Sequence, residues 1–82
     1  DATYLIYPNP TNGIVNIDLS ALSQNAIEFT VTNITGLEIH RELIDNNDRI
    51  QFSLEGYCEG IYFINVVNRT GEMTSQRISY LR

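Results

Sequence analysis

Leu54-Glu55-Gly56-Tyr57-Cys58-Glu59-Gly60-Ile61-Tyr62-Phe63-Ile64-Asn65-Val66-Val67-Asn68 decides the fold. Gly56 and Gly60 mark a turn that feeds the backbone into the most apolar run of the chain. From Ile61 to Val67 every residue except Asn65 is β-branched or aromatic. Such side chains suit a pleated surface and lose rotamer freedom in a helix. Alternation puts Tyr62, Ile64 and Val66 on one face and Ile61, Phe63 and Val67 on the other. A strand apolar on both faces belongs in the middle of a sheet, with a neighbour on each side and a second layer beneath it.

The neighbours can be read on either side. Tyr4-Leu5-Ile6-Tyr7 is a β-prone run, and Pro8-Asn9-Pro10 ends it, because proline has no N–H for a ladder. Thr11-Asn12-Gly13 is a tight turn. After it, Val15, Ile17 and Leu19 alternate with Asn16, Asp18 and Ser20 in a half-buried strand. Ala21 to Asn25 is a polar connection, with Ser20-Ala21-Leu22-Ser23 able to seed one helical turn. From Ala26 to Asn33, Ile27, Phe29 and Val31 point inward and Glu28, Thr30 and Thr32 outward. Ile34-Thr35-Gly36 joins this strand to Leu37–Ile44 as a hairpin. There Leu37, Ile39 and Leu43 share a face, interrupted by Arg41, opposite Glu38, His40 and Glu42. Asp45-Asn46-Asn47-Asp48 is a second turn, and Ile50, Phe52 and Leu54 come next on one face. Asn68-Arg69-Thr70-Gly71-Glu72 makes the last hairpin turn. In the closing strand from Met73 to Tyr80, Ile78 and Tyr80 face the core while Ser75, Arg77 and Ser79 face away. Its few apolar residues mark it as an edge. About seven short strands at intervals of roughly 8–12 residues predict an all-β antiparallel sandwich.

At 82 residues the chain is read as one domain, 1–82. A domain this small buries only roughly 60–65% of its unfolded surface. A single cysteine, Cys58, allows no internal disulfide, and its thiol is expected to be a small buried hydrophobe. The net charge is −5, with no lysine and five scattered arginines. That distribution argues against nucleic acid, whose binding rests on phosphate neutralisation, and against an anionic membrane surface. No apolar stretch approaches the ~18 residues that span a bilayer. No charged-then-apolar leader opens the chain, and Asp1 reads as a cut within a longer protein.

Little here suits bond-making chemistry. His40 and Cys58 are too few for the usual zinc site, and neither sits in a catalytic context, so His40 reads as an exposed strand residue. No nucleotide-binding or metalloprotease motif is present, and no cofactor is implied. Asp45 to Asp48 offers calcium-type oxygens without the glycine and distal glutamate of an EF-hand, and reads as a turn. Asn33-Ile34-Thr35 and Asn68-Arg69-Thr70 match the N-glycosylation pattern but fall where turns favour asparagine. Tyr4, Tyr7, Tyr57, Tyr62 and Tyr80 could form a sugar-stacking platform or serve as ordinary β-core residues. From the residues alone the chain is an accessory or recognition domain.

Two stretches carry a resemblance. One is Tyr7-Pro8-Asn9-Pro10-Thr11-Asn12-Gly13, entering a strand at Ile14. The other is Leu54, then Gly60-Ile61-Tyr62-Phe63-Ile64-Asn65-Val66, then Gly71 and the strand around Arg77-Ile78. Phe29 to Ile39, with Thr35-Gly36 at its turn, adds a middle unit. In this order they resemble the type A C-terminal sorting domain of the type IX (Por) secretion system of Bacteroidetes, over nearly the whole chain.

The resemblance implies an immunoglobulin-like sandwich, not an enzyme, at the end of a secreted cargo protein. It implies passage through the periplasm, recognition by outer-membrane translocon and shuttle proteins, and removal by a sortase-like cell-surface peptidase. The cargo is then released or attached to lipopolysaccharide at the cell surface. Pro8, Asn9, Pro10 and Gly13 would hold the first turn, and Gly36, Gly60, Tyr62 and Val66 the later turns and core. The last strand, through Arg77, Ile78, Ser79, Tyr80, Leu81 and Arg82, is the candidate translocon contact. It departs from the family's lysine-rich ending, since the chain has no lysine and offers only Arg77 and Arg82, whose planar fork bonds differently. The rival expectation is a carbohydrate-binding or adhesive sandwich retained on a secreted enzyme.

Overall fold

The computed structural model describes residues 4–20, 26–44 and 48–82. Among these lie seven strands and no helix: β1 (Leu5–Tyr7), β2 (Ile14–Asp18), β3 (Ala26–Asn33), β4 (Glu38–Leu43), β5 (Arg49–Ser53), β6 (Gly60–Asn68) and β7 (Met73–Tyr80). Every pairing between strands is antiparallel. They form a three-stranded sheet, β1-β2-β5, and a four-stranded sheet, β4-β3-β6-β7. The fold is therefore the expected immunoglobulin-like β-sandwich. β4 joins the sheet of β3 instead of crossing to β5, unlike the constant-type arrangement. The expected helical seed and connection over residues 21–25, and the turn over Asp45 to Asn47, lie outside the described residues.

β6 is interior, between β3 and β7, as its two apolar faces require. Tyr62, Ile64 and Val66 point into the core, where they meet Phe29, Val31 and Ile78 of their own sheet. Val15, Ile17, Leu19, Ile50, Phe52 and Leu54 supply the other layer. Each such burial contributes about 1.5–3 kcal/mol. Tyr4 joins the layers. Its hydroxyl lies 3.0 Å from the Ile64 carbonyl and 2.7 Å from that of Thr74, and Gln76 Nε2 donates to the Tyr4 carbonyl at 2.6 Å.

Four expectations are corrected. Ile27, expected inward, is exposed, because the register shifts between Ala26 and Glu28 and leaves it as the extra residue of a bulge. β4 is also bulged: Val31 pairs with His40 and Thr32 with Glu38, so Ile39 has no cross-strand partner. One extra residue reverses the faces of every later side chain in the strand. Leu43 is 74% exposed, Leu37 is exposed too, and only Ile39 of that trio packs against the core. His40, expected on the surface, is half-buried between aromatic rings, 5.7 Å from Phe29 and 4.5 Å from Phe52 by centroid. Cys58, expected inside, is exposed in the turn before β6. That turn uses its backbone instead, for Tyr62 Oη donates to the Cys58 carbonyl at 2.6 Å.

The two Asn-x-Thr matches are one turn built twice. Asn33 Oδ1 accepts from the Thr35 N–H, the Thr35 hydroxyl and the Leu37 N–H, at 3.0, 2.7 and 3.0 Å. Asn68 Oδ1 accepts from the Thr70 N–H, the Thr70 hydroxyl and the Glu72 N–H, at the same three distances, 3.0, 2.7 and 3.0 Å. Asparagine, threonine and glycine are there for the turn: Gly36 and Gly71 take φ of +90° and +89°.

Candidate recognition surface

The last strand has two kinds of side chain. Ile78 and Tyr80 are fully buried in the core. Ser75, Arg77 and Ser79 alternate with them and lie on the outer face of the sheet. Arg77 sits opposite Phe63 and Ser79 opposite Ile61 in the β6–β7 register. The Ser75 hydroxyl donates to Asn65 Oδ1 at 2.6 Å, and Asn65 Nδ2 donates to Thr30 and Thr32 at 3.1 and 3.2 Å. A polar ladder thus crosses three strands on this face and accounts for Asn65 interrupting the apolar run.

Charges elsewhere on the domain pair locally. Arg41 holds Glu28 at 2.6 Å and Glu38 at 2.8 Å, which keeps the Glu38 carboxyl below its usual range and raises Arg41. Arg49 lies 3.9 Å from Asp18, and Arg82 lies 3.7 Å from Glu59. Among the described residues no ion pair engages Arg77.

The segment after β1 is built onto the edge of β7. Asn9 Nδ2 donates to the Arg77 carbonyl at 3.1 Å, and the Ser79 N–H donates to Asn9 Oδ1 at 3.0 Å. The Thr11 N–H donates to the Ser79 carbonyl at 2.8 Å, and the Leu81 N–H to the Thr11 carbonyl at 2.9 Å. Thr11 so forms a parallel bridge with Tyr80. Thr11 is itself buried, its hydroxyl donating to the Ile14 carbonyl and accepting from the Gly13 N–H. Gly13 comes two residues later at φ +148°, which favours glycine, and a Cβ there would lie 3.1 Å from Glu55 Cγ, so an added side chain would have to displace that exposed glutamate.

The expected family residues are therefore scattered by role. Pro8, Asn9, Pro10 and Gly13 shape the approach to β7, Gly36 closes the β3–β4 turn, and Gly60 opens β6 at φ +150°. Tyr62 and Val66 are core. In β7 Ile78 and Tyr80 are not available to a partner, whereas Arg77 is exposed, as are Leu81 and Arg82 just beyond the strand. Pro8-Asn9-Pro10 ends backbone pairing as expected, but Asn9 continues the pairing with its side chain, a role not expected from the sequence. Proline on both sides of one amide residue was the available signal.

The candidate chemistry does not converge. His40 Nε2 hydrogen-bonds Glu42 Oε1 at 3.0 Å, and no contact among the described residues joins His40 to Cys58. No group of three metal-ligating side chains occurs among the described residues. Tyr4, Tyr62 and Tyr80 are buried, so the five tyrosines make no common platform.

A family model described as the secretion system C-terminal sorting domain matches residues 5–79. The chain belongs to that family. It is a sorting domain of the type IX secretion system, and that family is not one of enzymes. Membership implies a signal for secretion to the cell surface or beyond. No curated protein matches the chain.

Proposed function

We propose that this sorting domain directs an attached cargo protein across the outer membrane, and that outer-membrane translocon and shuttle proteins read the face of β7 in the periplasm. A sortase-like cell-surface peptidase then removes the domain, and the cargo is released or attached to lipopolysaccharide. The observation carrying this reading is the division of labour along β7. Ile78 and Tyr80 fix the strand rigidly in the core, so Arg77, Leu81 and Arg82 are offered outward at set positions. A translocon that handles unrelated cargos needs such a cargo-independent shape.

The test fuses residues 1–82 to a fluorescent protein behind a signal peptide, in a host with the secretion system. Deletion should stop at Leu81, because Tyr80 is core. The fusion is expected to be exported and its sorting domain lost. Arg77→Ala combined with removal of Leu81 and Arg82 is expected to leave it folded in the periplasm. Export of that folded variant at the wild-type level would reject the face of β7 as the contact. Retention of the unmutated fusion would reject the sorting role.

A further inference from the structure

The Pro8–Thr11 segment does more than connect β1 to β2. A side-chain amide has the donor and acceptor of a peptide group. Asn9 sets them against the Arg77 carbonyl and the Ser79 N–H as a neighbouring strand would. Thr11 continues the pairing with its backbone at the Ser79 carbonyl and the Leu81 N–H. Three edge groups of β7, and the Leu81 N–H just after it, are thereby closed. The outer side of the segment cannot pass pairing on, since Pro8 and Pro10 have no N–H. Asn9 lies exposed, so its two bonds are accessible to competition by water.

We infer that this segment is an edge guard: it holds the C-terminal half of the β7 edge closed against strand pairing with a second copy of this chain. An eight-residue edge strand with unpaired N–H and C=O groups is a template for sheet extension. The guard removes the template in cis, using one side chain and one residue of backbone. Its release returns a β7 edge that pairs antiparallel with the same edge of another molecule. The inference stands apart from the sorting role and survives if export fails.

The test is the oligomeric state of the 82-residue chain by sedimentation velocity, alongside amide exchange by NMR. Wild type is expected to remain monomeric as concentration rises. Asn9→Ala is expected to give a dimer fraction that grows with concentration, with Ser79 exchange in the monomer faster by roughly tenfold. Asn9→Ala with Ser79→Pro should return to monomer, because the second change removes the edge N–H at a position an edge strand tolerates. A folded Asn9→Ala variant that stays monomeric overturns the inference, as does a wild-type chain that already dimerises. If Asn9→Ala does not fold, wild-type exchange decides. Ser79 and Leu81 amides protected well above unstructured ones support the closed edge. Exchange of both at the unprotected rate, while Ile78 and Tyr80 stay protected, overturns it.

Discussion

The ring of His40 in β4 lies 4.5 Å from the ring of Phe52 in β5, and so spans the gap between the two sheets. On the opposite side of the sandwich the sheets are joined by Tyr4, Asn9 and Thr11. The closure at β4 and β5 is the thinner one, made of ring contacts and the half-buried Ile39. His40→Ala should therefore destabilise the domain by about 1–2 kcal/mol, and His40→Phe by much less. Urea denaturation of both variants checks this. Equal losses would mean that the imidazole matters through Glu42 and not through stacking.

Tyr4 predicts a pH dependence. Burial holds its phenol protonated beyond the ordinary range. The unfolded phenol titrates near pH 10. Between that value and the raised folded value the folded state binds the extra proton, so its stability falls as pH rises. Below about pH 10 the contribution is fully present. Tyr4→Phe should cost about 1–2 kcal/mol at neutral pH, through the lost hydroxyl bonds, and flatten the alkaline decline. Asp18 acts at the other end. Hydrogen bonds from Ser20 hold its carboxyl low, so its contribution is present above the unfolded carboxylate range and lost as pH falls through the lowered value. Denaturation midpoints across both ranges test the two residues separately.

Legibility in the sequence depends on how each residue is constrained. Val15, Ile17 and Leu19, or Ile50, Phe52 and Leu54, alternate without interruption, so period alone assigned their faces. Ile27 and β4 could not be read that way. A bulge adds one residue without any composition signal: in β3 it turns Ile27 itself out, and in β4 it displaces the side chains beyond Ile39 to the other face. His40 was inverted for that reason. Cys58 was misplaced by a general tendency of thiols, although the turn between Leu54 and Gly60 has room only for solvent-facing side chains. At the candidate surface, the alternation of β7 was legible and the role of Asn9 was not, since its partners lie about seventy residues away.

Gly13 and Gly36 should separate two costs of adding a side chain. Gly36→Ala meets no atom within 4 Å and strains only its φ of +90°, so it should cost about 1 kcal/mol. Gly13→Ala adds the Glu55 contact at 3.1 Å to a φ of +148°, and should cost about 2–3 kcal/mol. Combining Gly13→Ala with Glu55→Ala should recover the steric part alone. Thermal or urea unfolding of the three variants reads the difference.

The paired turns offer a test of independence. Asn33→Ala and Asn68→Ala each remove an oxygen that accepts three hydrogen bonds, and each should cost about 1–2 kcal/mol. The two asparagines sit at opposite ends of antiparallel β3 and β6 and share no partner. Their effects should therefore add to within about 0.5 kcal/mol. A double variant well outside that sum would show that the turns communicate through the sheet.

Asn65 is the exception within the apolar strand, and its ladder predicts an asymmetry. Asn65→Ala leaves the hydroxyls of Thr30, Thr32 and Ser75 without their shared partner on a covered part of the face. It should cost about 1–3 kcal/mol. Asn65→Val on a Thr30→Val background removes donor and acceptor together and fills the space with β-branched side chains. It should cost well under half as much, because the penalty lies in stranding a polar group more than in losing the bond. Chemical denaturation of the two variants compares them directly. If the double substitution proves the more damaging, the ladder sets strand register across β3, β6 and β7, and its contribution is geometric.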